Sequence, residues 1–314
     1  MVYLVLEILL KAIEDMKNNL KGNIILFITA IIWGISFVSQ SVGMDYIGPN
    51  TFMGIRTVLG GLVLLPFIYF RDRTLKRQGR YEKTDFKKLL KYGTICGLFL
   101  CVASTLQTYG LKYTTTAKSG FLTALYIIFV AVFGALCGKK ITFKIYSGII
   151  TAVLGMYFLC LFGSDLSFNV GDLLTIICAV FFAGQILFID RFVHEVDSIK
   201  LSCTQFLVSG IINLVLMFLI EQPSITSIMS CATALLYSGI MSCGVAYTLQ
   251  VVGQKYSEPT SASIIMSLES VFAAISGWII LGEVMSFTQI FGSVLMFLAI
   301  VLVQLPNKKI KKAS

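Results

Sequence analysis

The stretch TLQTYGLKY at residues 105–113 returns 143 positions later as TLQVVGQKY at 248–256, with Thr, Leu, Gln, Gly, Lys and Tyr unchanged. The same offset pairs Leu125 with Leu268, Phe129 with Phe272 and Gly134 with Gly277. Upstream, an offset of 149 pairs Ala30 with Ala179, Trp33 with Phe182 and Arg56 with Gln205. One half of the chain therefore copies the other. Whether the copies run parallel or inverted limits what the chain can fold into.

Hydrophobic residues make up 57% of the 314 residues and charged residues only 13%, at a mean hydropathy of +0.87. Soluble domains carry about 25% charge, so water cannot be the solvent for this much apolar surface, and the chain reads as an integral membrane protein. Ten apolar segments approach the roughly 20 residues that a helix needs to cross about 30 Å of hydrocarbon. They lie near 23–42, 50–70, 92–111, 117–137, 145–163, 171–190, 200–220, 231–252, 259–281 and 286–304. Pro66 falls inside the second and predicts a bend there.

Sidedness comes from the cations. The segment before the first span, the loop 71–91, the loops after the fourth, sixth and eighth spans, and the tail together hold 22 of the 25 Lys and Arg. The other side has only Lys112 and Lys118, and Arg56 sits within a span. Both termini are accordingly expected in the cytoplasm and the chain in the cytoplasmic membrane. Ten spans give five per repeat, and an odd number makes the second copy enter from the opposite side. The expected fold is all-α, with ten transmembrane helices in two inverted five-helix repeats, 22–163 and 164–305. A cytoplasmic segment 1–21 precedes them and a basic tail 306–314 follows. Residues 1–15 are too short an apolar run to cross and lack a signal-peptide cleavage site; they are expected to be an interfacial helix or a start-site extension. Inverted repeats suit an alternating-access carrier, because two copies exchanging conformations open one central site to either side.

The runs AIIWGISF at 30–37, Ile55–Arg56 with its apolar continuation, and ASIIMSLESVFAAISGWIILGE at 262–283 resemble the EamA-type carriers of the drug/metabolite transporter superfamily. The resemblance extends over about 22–305. It implies a carrier of small metabolites, with amino-acid efflux as the leading expectation. A vitamin or nucleotide-precursor importer, a non-transporting scaffold or regulatory subunit, and a conducting channel are the alternatives. The family pattern has Leu-Glu-Pro in the ninth span; here Ser270 replaces the proline, which puts a proline-dependent bend in question.

The expected substrate-binding residues are Trp33, Ser36, Gln107, Tyr126, Gln185, Gln250 and Glu269. Glu269 lies mid-span, where an acid is expensive and marks function, as a proton carrier, a counter-charge or a helix-to-helix hydrogen bond. Tyr126 is its repeat mate and should face the same axis. Gln107 and Gln250 are repeat mates able to donate and accept. Arg56 is either an anion-binding fork or a snorkelling residue that holds the second span in register. Lys118 would greet an anionic cargo on entry or snorkel. Tyr109, Phe182 and Trp278 are further candidates for an aromatic wall. Asp190, Arg191, His194 and Glu195 should form solvated pairs, and Glu283 should cap the tenth span.

Eight cysteines without a CxxC and a single histidine argue for small buried hydrophobes rather than a disulfide or metal framework. No Walker motif, GxGxxG loop or nucleophile–base pair occurs, so no cofactor and no enzyme activity are expected. Energy would come from an ion or solute gradient, with H+ as the candidate coupling ion. The partners expected are a small-molecule substrate and the lipid bilayer, not nucleic acid; oligomeric state is left open.

Overall fold

The structure is a computed structural model. It describes residues 18–114, 116–139, 141–163, 168–282 and 284–304, without the side chains of residues 18, 19, 116–118, 281 and 304. The expectations for residues 1–15, for Lys140, for Glu283 and for the basic tail lie outside the described residues.

The described residues form helices and no strands, as hydrocarbon requires when a backbone must satisfy its own polar groups. In chain order the membrane helices are α1 (Asn18–Met44), α2 (Pro49–Arg77), α3 (Phe86–Gly110), α4 (Thr116–Ala124 and Tyr126–Leu136), and α5 (Phe143–Cys160). The second half holds α6 (Val170–Phe192), α7 (Ser198–Leu216, with a π turn Met217–Glu221), α8, α9 (Pro259–Met266 and Glu269–Leu281) and α10 (Phe287–Gln304). Helix α8 runs as Ala232–Leu236, a π stretch Tyr237–Tyr247, and Thr248–Gln254, behind a short helix Ile225–Ser230. Nine are long and apolar enough to cross a membrane; α10 is a shorter apolar helix. At 1.5 Å per residue its 18 residues still reach about 27 Å. Helices α2 and α3 outrun the apolar segments read from the sequence, by about two turns at Arg77 and at Phe86. Helix α2 continues through Pro66 without a break.

Two spans break, and they break at repeat-equivalent places. Helix α4 is interrupted at Leu125, and α9 at Ser267–Leu268. Each joint is closed by tight i→i−3 bonds: Leu125 N–H to Leu122 C=O and Ile128 N–H to Leu125 C=O in the first, Leu268 N–H to Ile265 C=O and Ser270 N–H to Ser267 C=O in the second. No proline is needed. In α9 the hydroxyls of Ser263 and Ser267 bond back to the carbonyls of Thr260 and Ile264 at 2.8 and 2.7 Å. Such back-bonding competes with the helix ladder and bends it, so Ser270 in place of the family's proline leaves the joint intact.

Helices pair across the two halves. Helix α2 packs on α7, and α5 on α10; α1 lies against α8 and the second segment of α9, while α6 lies against α3 and α4. Exchanging each helix for its repeat mate maps this set of neighbours onto itself, which is the signature of a two-fold relation. The ends also sort by face. Arg71 pairs with Asp197, Lys88 with Glu195 and Lys139 with Asp190 on one face, while Glu221 meets Asn50 and Thr114 meets Asp172 on the other. Consecutive helices are therefore antiparallel and the repeats inverted. Asp190 and Glu195 do form solvated pairs, but with lysines of other helices rather than with Arg191 or His194.

Lipid supplies no hydrophobic drive between helices, so close approach of small residues does the work. Between α5 and α10, a Cβ on Gly292 would lie 2.5 Å from the Gly155 carbonyl oxygen, leaving room only for glycine. Of each span's most apolar window, 72% is buried in α8 and only 28% in α5; α8 is thus central and α5 peripheral. All eight cysteines are free.

Candidate functional site

Along α1, residues Trp33, Ser36, Phe37 and Gln40 fall at i, i+3, i+4 and i+7, one face of a helix. That face borders a central cavity. Arg56 of α2, Gln107 of α3, Thr123 and Tyr126 of α4, and Phe182 and Ile186 of α6 complete one side. Ser242, Tyr247 and Gln250 of α8, with Met266 and Glu269 of α9, complete the other. Several lining residues are repeat mates: Gln107 and Gln250, Tyr126 and Glu269, Thr123 and Met266, Trp33 and Phe182, Phe37 and Ile186. The cavity straddles the two-fold axis.

The broken helices explain how Tyr126 and Glu269 get there. Each is the first residue after its joint, so the interruption turns its side chain toward the axis. The Tyr126 hydroxyl lies beside the Glu269 carboxyl. It makes no well-formed hydrogen bond. Gln107 donates to Thr123 Oγ1 at 3.1 Å. Trp33 and Tyr247 lean together with ring centroids 4.6 Å apart.

The lining is only partly satisfied. Trp33 Nε1, Ser36 Oγ, Gln40 Oε1, Arg56 Nε and Nη1, Tyr126 Oη and Gln250 Oε1 are all buried without a hydrogen-bond partner. Each such group costs on the order of 1–3 kcal/mol when left unmade, so polar contents that pair with them would be favoured there. Arg56 is only 3% exposed and its guanidinium rests 5.8 Å from the Phe52 ring centroid. The lining thus combines one guanidinium, one carboxyl and several aromatic rings.

The two-fold fails at the charged end. The mates of Ser36 and Arg56 are Gln185 and Gln205, which bond each other at 3.0 Å and are fully buried outside the cavity lining. Gln185 is a site candidate from the sequence; here its Nε2 donates across the α6–α7 contact and the residue does not line the cavity. Lys118 belongs to α4, but its side chain lies outside the described residues. Trp278 is 55% exposed on the outer surface. Tyr109 accepts from Asn50 Nδ2 at the end of α3 and is not among the residues lining this cavity. Besides the apolar Phe37, Ile186 and Met266, four lining residues with polar groups were not among the sequence candidates. Gln40 and Thr123 were findable, since Gln40 extends the i, i+3, i+7 face and Thr123 precedes Tyr126 by one turn. Ser242 and Tyr247 were not. They stand five residues apart, and only a π-helix brings i and i+5 to one side.

A family model, the EamA-like transporter family, matches residues 20–161 and again 169–305, one match per repeat. The chain belongs to the EamA-like transporter family. An uncharacterized transporter of Archaeoglobus fulgidus is 30% identical over 92% of this chain and 87% of its own length. YoaV of Bacillus subtilis, also an uncharacterized transporter, is 23% identical over 84% of this chain and 90% of its own. A solved crystal structure, 18% identical, superposes with a TM-score of 0.74 over 90% of this chain and 96% of that one, which bears on the fold alone. The protein is a multi-pass membrane transporter of the EamA type.

Proposed function

We propose that the protein is a secondary carrier for a small zwitterionic metabolite, of the amino-acid kind, exported across the cytoplasmic membrane by alternating access. The observation that carries this reading is the presence of Arg56 and Glu269 in one cavity where several other polar atoms of the lining lack partners. Arg56 would take a carboxylate through its planar fork. Glu269 would face an ammonium group or carry a proton, and Trp33, Tyr247 and Phe182 would hold the apolar part of the cargo. Gln107 and Gln250 would supply donors and acceptors from the two repeats.

H+ coupling is assigned to Glu269 because it is the acid lining the cavity. Export and cytoplasmic termini rest on the family resemblance and on the distribution of Lys and Arg respectively. The division into functional units at 22–163 and 164–305 follows from the inverted repeat. Purified protein in sealed proteoliposomes should show saturable counterflow of at least one amino acid from a broad panel. The same compounds should raise its melting temperature in detergent, as binding stabilises by mass action. Absence of saturable flux together with absence of any stabilising compound would leave a scaffold or regulatory subunit.

A further inference from the structure

Helices α2 and α7 are repeat mates that pack on each other across the two-fold. Midway they approach through glycine on both sides. A Cβ on Gly61 would lie 2.8 Å from Leu207 Cδ2, and one on Gly210 would lie 2.5 Å from Val58 Cγ2. These two contacts exchange under the repeat offset of 149, Gly61 with Gly210 and Val58 with Leu207. The crossing point sits on the axis.

At one membrane face, α7 ends in the π turn Met217–Glu221. The wider turn swings the Glu221 carboxylate over the start of α2. There it accepts four hydrogen bonds, from the backbone N–H of Asn50 at 2.8 Å and Thr51 at 2.8 Å, from Asn50 Nδ2 at 2.9 Å and from Thr51 Oγ1 at 2.7 Å. The N-cap of α2 is Gly48, which has no side chain to do this. A Cβ at Gly48 would collide with the incoming carboxyl at 2.2 Å. The cap of one repeat is therefore supplied by the other.

At the opposite face a second tie joins the same two helices at repeat-equivalent residues, here as an ion pair rather than a cap. The repeat mate of Glu221 is Asp72, near the end of α2, and the mate of Thr51 is Lys200, in the first turn of α7. Asp72 Oδ2 meets Lys200 Nζ at 2.6 Å. Arg71 adds a bond to Asp197 Oδ2 at 2.8 Å, while Asp197 Oδ1 caps α7 at Ile199 and Lys200.

We propose that Glu221 with Asn50 and Thr51, and Asp72 with Lys200, are the two alternately released latches of the transport cycle, working about the Gly61–Gly210 crossing as fulcrum. The proposal rests on the alternating-access reading above. A pair of helices tied at both ends and crossing in the middle cannot separate at one face without breaking that face's tie. Inverted repeats require the tie at the other face to be its symmetry copy, and residues 72 and 221 are such copies. Both ties are closed in this structure. Asp72 and Glu221 act as positioning residues; neither lines the cavity.

The test reads access rather than transport, so it stands apart from the identity of the cargo. The full chain carrying Ser36→Cys in the cavity is placed in proteoliposomes of one orientation. It is labelled with a membrane-impermeant maleimide from each face in turn, with the chain lacking that substitution as the baseline for the native cysteines. Glu221→Gln should raise the labelling rate several-fold from the Glu221 face only. Asp72→Asn should do so from the Asp72 face only. Thr51→Val, which removes one of four donors, should act like Glu221→Gln but more weakly, and serves if that variant does not fold. Equal increases from both faces, no change in either variant, or increases from the wrong face would overturn the latches. Sided labelling in a protein that moves no solute would keep the latches and remove the carrier reading.

Discussion

Arg56 lies at the centre of the competition between structural and functional roles. A structural arginine buried in a membrane protein is expected to spend its donors on neighbouring helices, yet Nε and Nη1 have no partner. Its repeat mate Gln205, by contrast, is bonded to Gln185. Arg56→Gln should therefore leave the melting temperature of the empty protein nearly unchanged. It should raise the half-saturating concentration for an anionic or zwitterionic cargo by roughly 10- to 100-fold, the range of a charge-assisted hydrogen bond. Arg56→Lys should recover only part of that, because a point charge cannot form the fork. A large loss of stability with unaltered affinity would assign Arg56 to structure. Glu269→Gln keeps shape while removing the titrating group. Counterflow of a neutral-zwitterion pair should persist, and the dependence of net transport on a pH gradient should disappear. Unchanged pH-driven flux would take Glu269 out of coupling.

At the scale of the element, the instructive case is α9. Its sequence departs from the family at Ser270, and the joint persists because tight bonds and serine back-bonding already loosen the ladder there. Ser270 stands in the first turn of the second segment, where proline is tolerated. Ser270→Pro should consequently insert and fold, with a stability change within about 1 kcal/mol, the worth of the bond lost to Ser267. The α5–α10 seam is less forgiving. Gly292→Ala places a methyl group 2.5 Å from backbone atoms of Gly155 and Leu159, and should destabilise the protein by about 1–3 kcal/mol, seen as a lowered melting temperature in detergent. The pattern of apolar residues located both helices, but neither the joint nor the seam, since both are made by contacts between residues distant in the chain or by side chains competing with their own backbone.

For the whole molecule, ion pairs concentrate on one face and tie helices of both halves. Lys88, and after it Tyr92, hydrogen-bond the Glu195 carboxylate and hold it below the ordinary carboxylate value of 4.5. A group depressed in the folded state stabilises above its unfolded value, and that contribution is lost as the pH falls through the folded one. Melting temperature should therefore fall more steeply below about pH 4.5 in the native protein than in Glu195→Gln; parallel acid curves would refute the tie.

The sequence by itself determined the solvent, the ten spans, the inverted repeat and the family, because hydropathy and sidedness are summed along each segment and survive any detail of packing. It also named most of the polar residues that meet at the axis: Trp33, Ser36, Gln107, Tyr126, Gln250, Glu269 and Arg56. Only the tertiary structure decided which repeat mates stayed equivalent. Gln185 and Gln205 bond each other, while Ser36 and Arg56 open onto the cavity, and a period of 149 cannot reveal that divergence. Nor can a 3.6-residue period place Ser242 and Tyr247, which depend on the π stretch in α8. The carboxylate that completes α2 comes from Glu221, some 170 residues away. A cap supplied by another helix has no local signature, so folding alone could bring it into view.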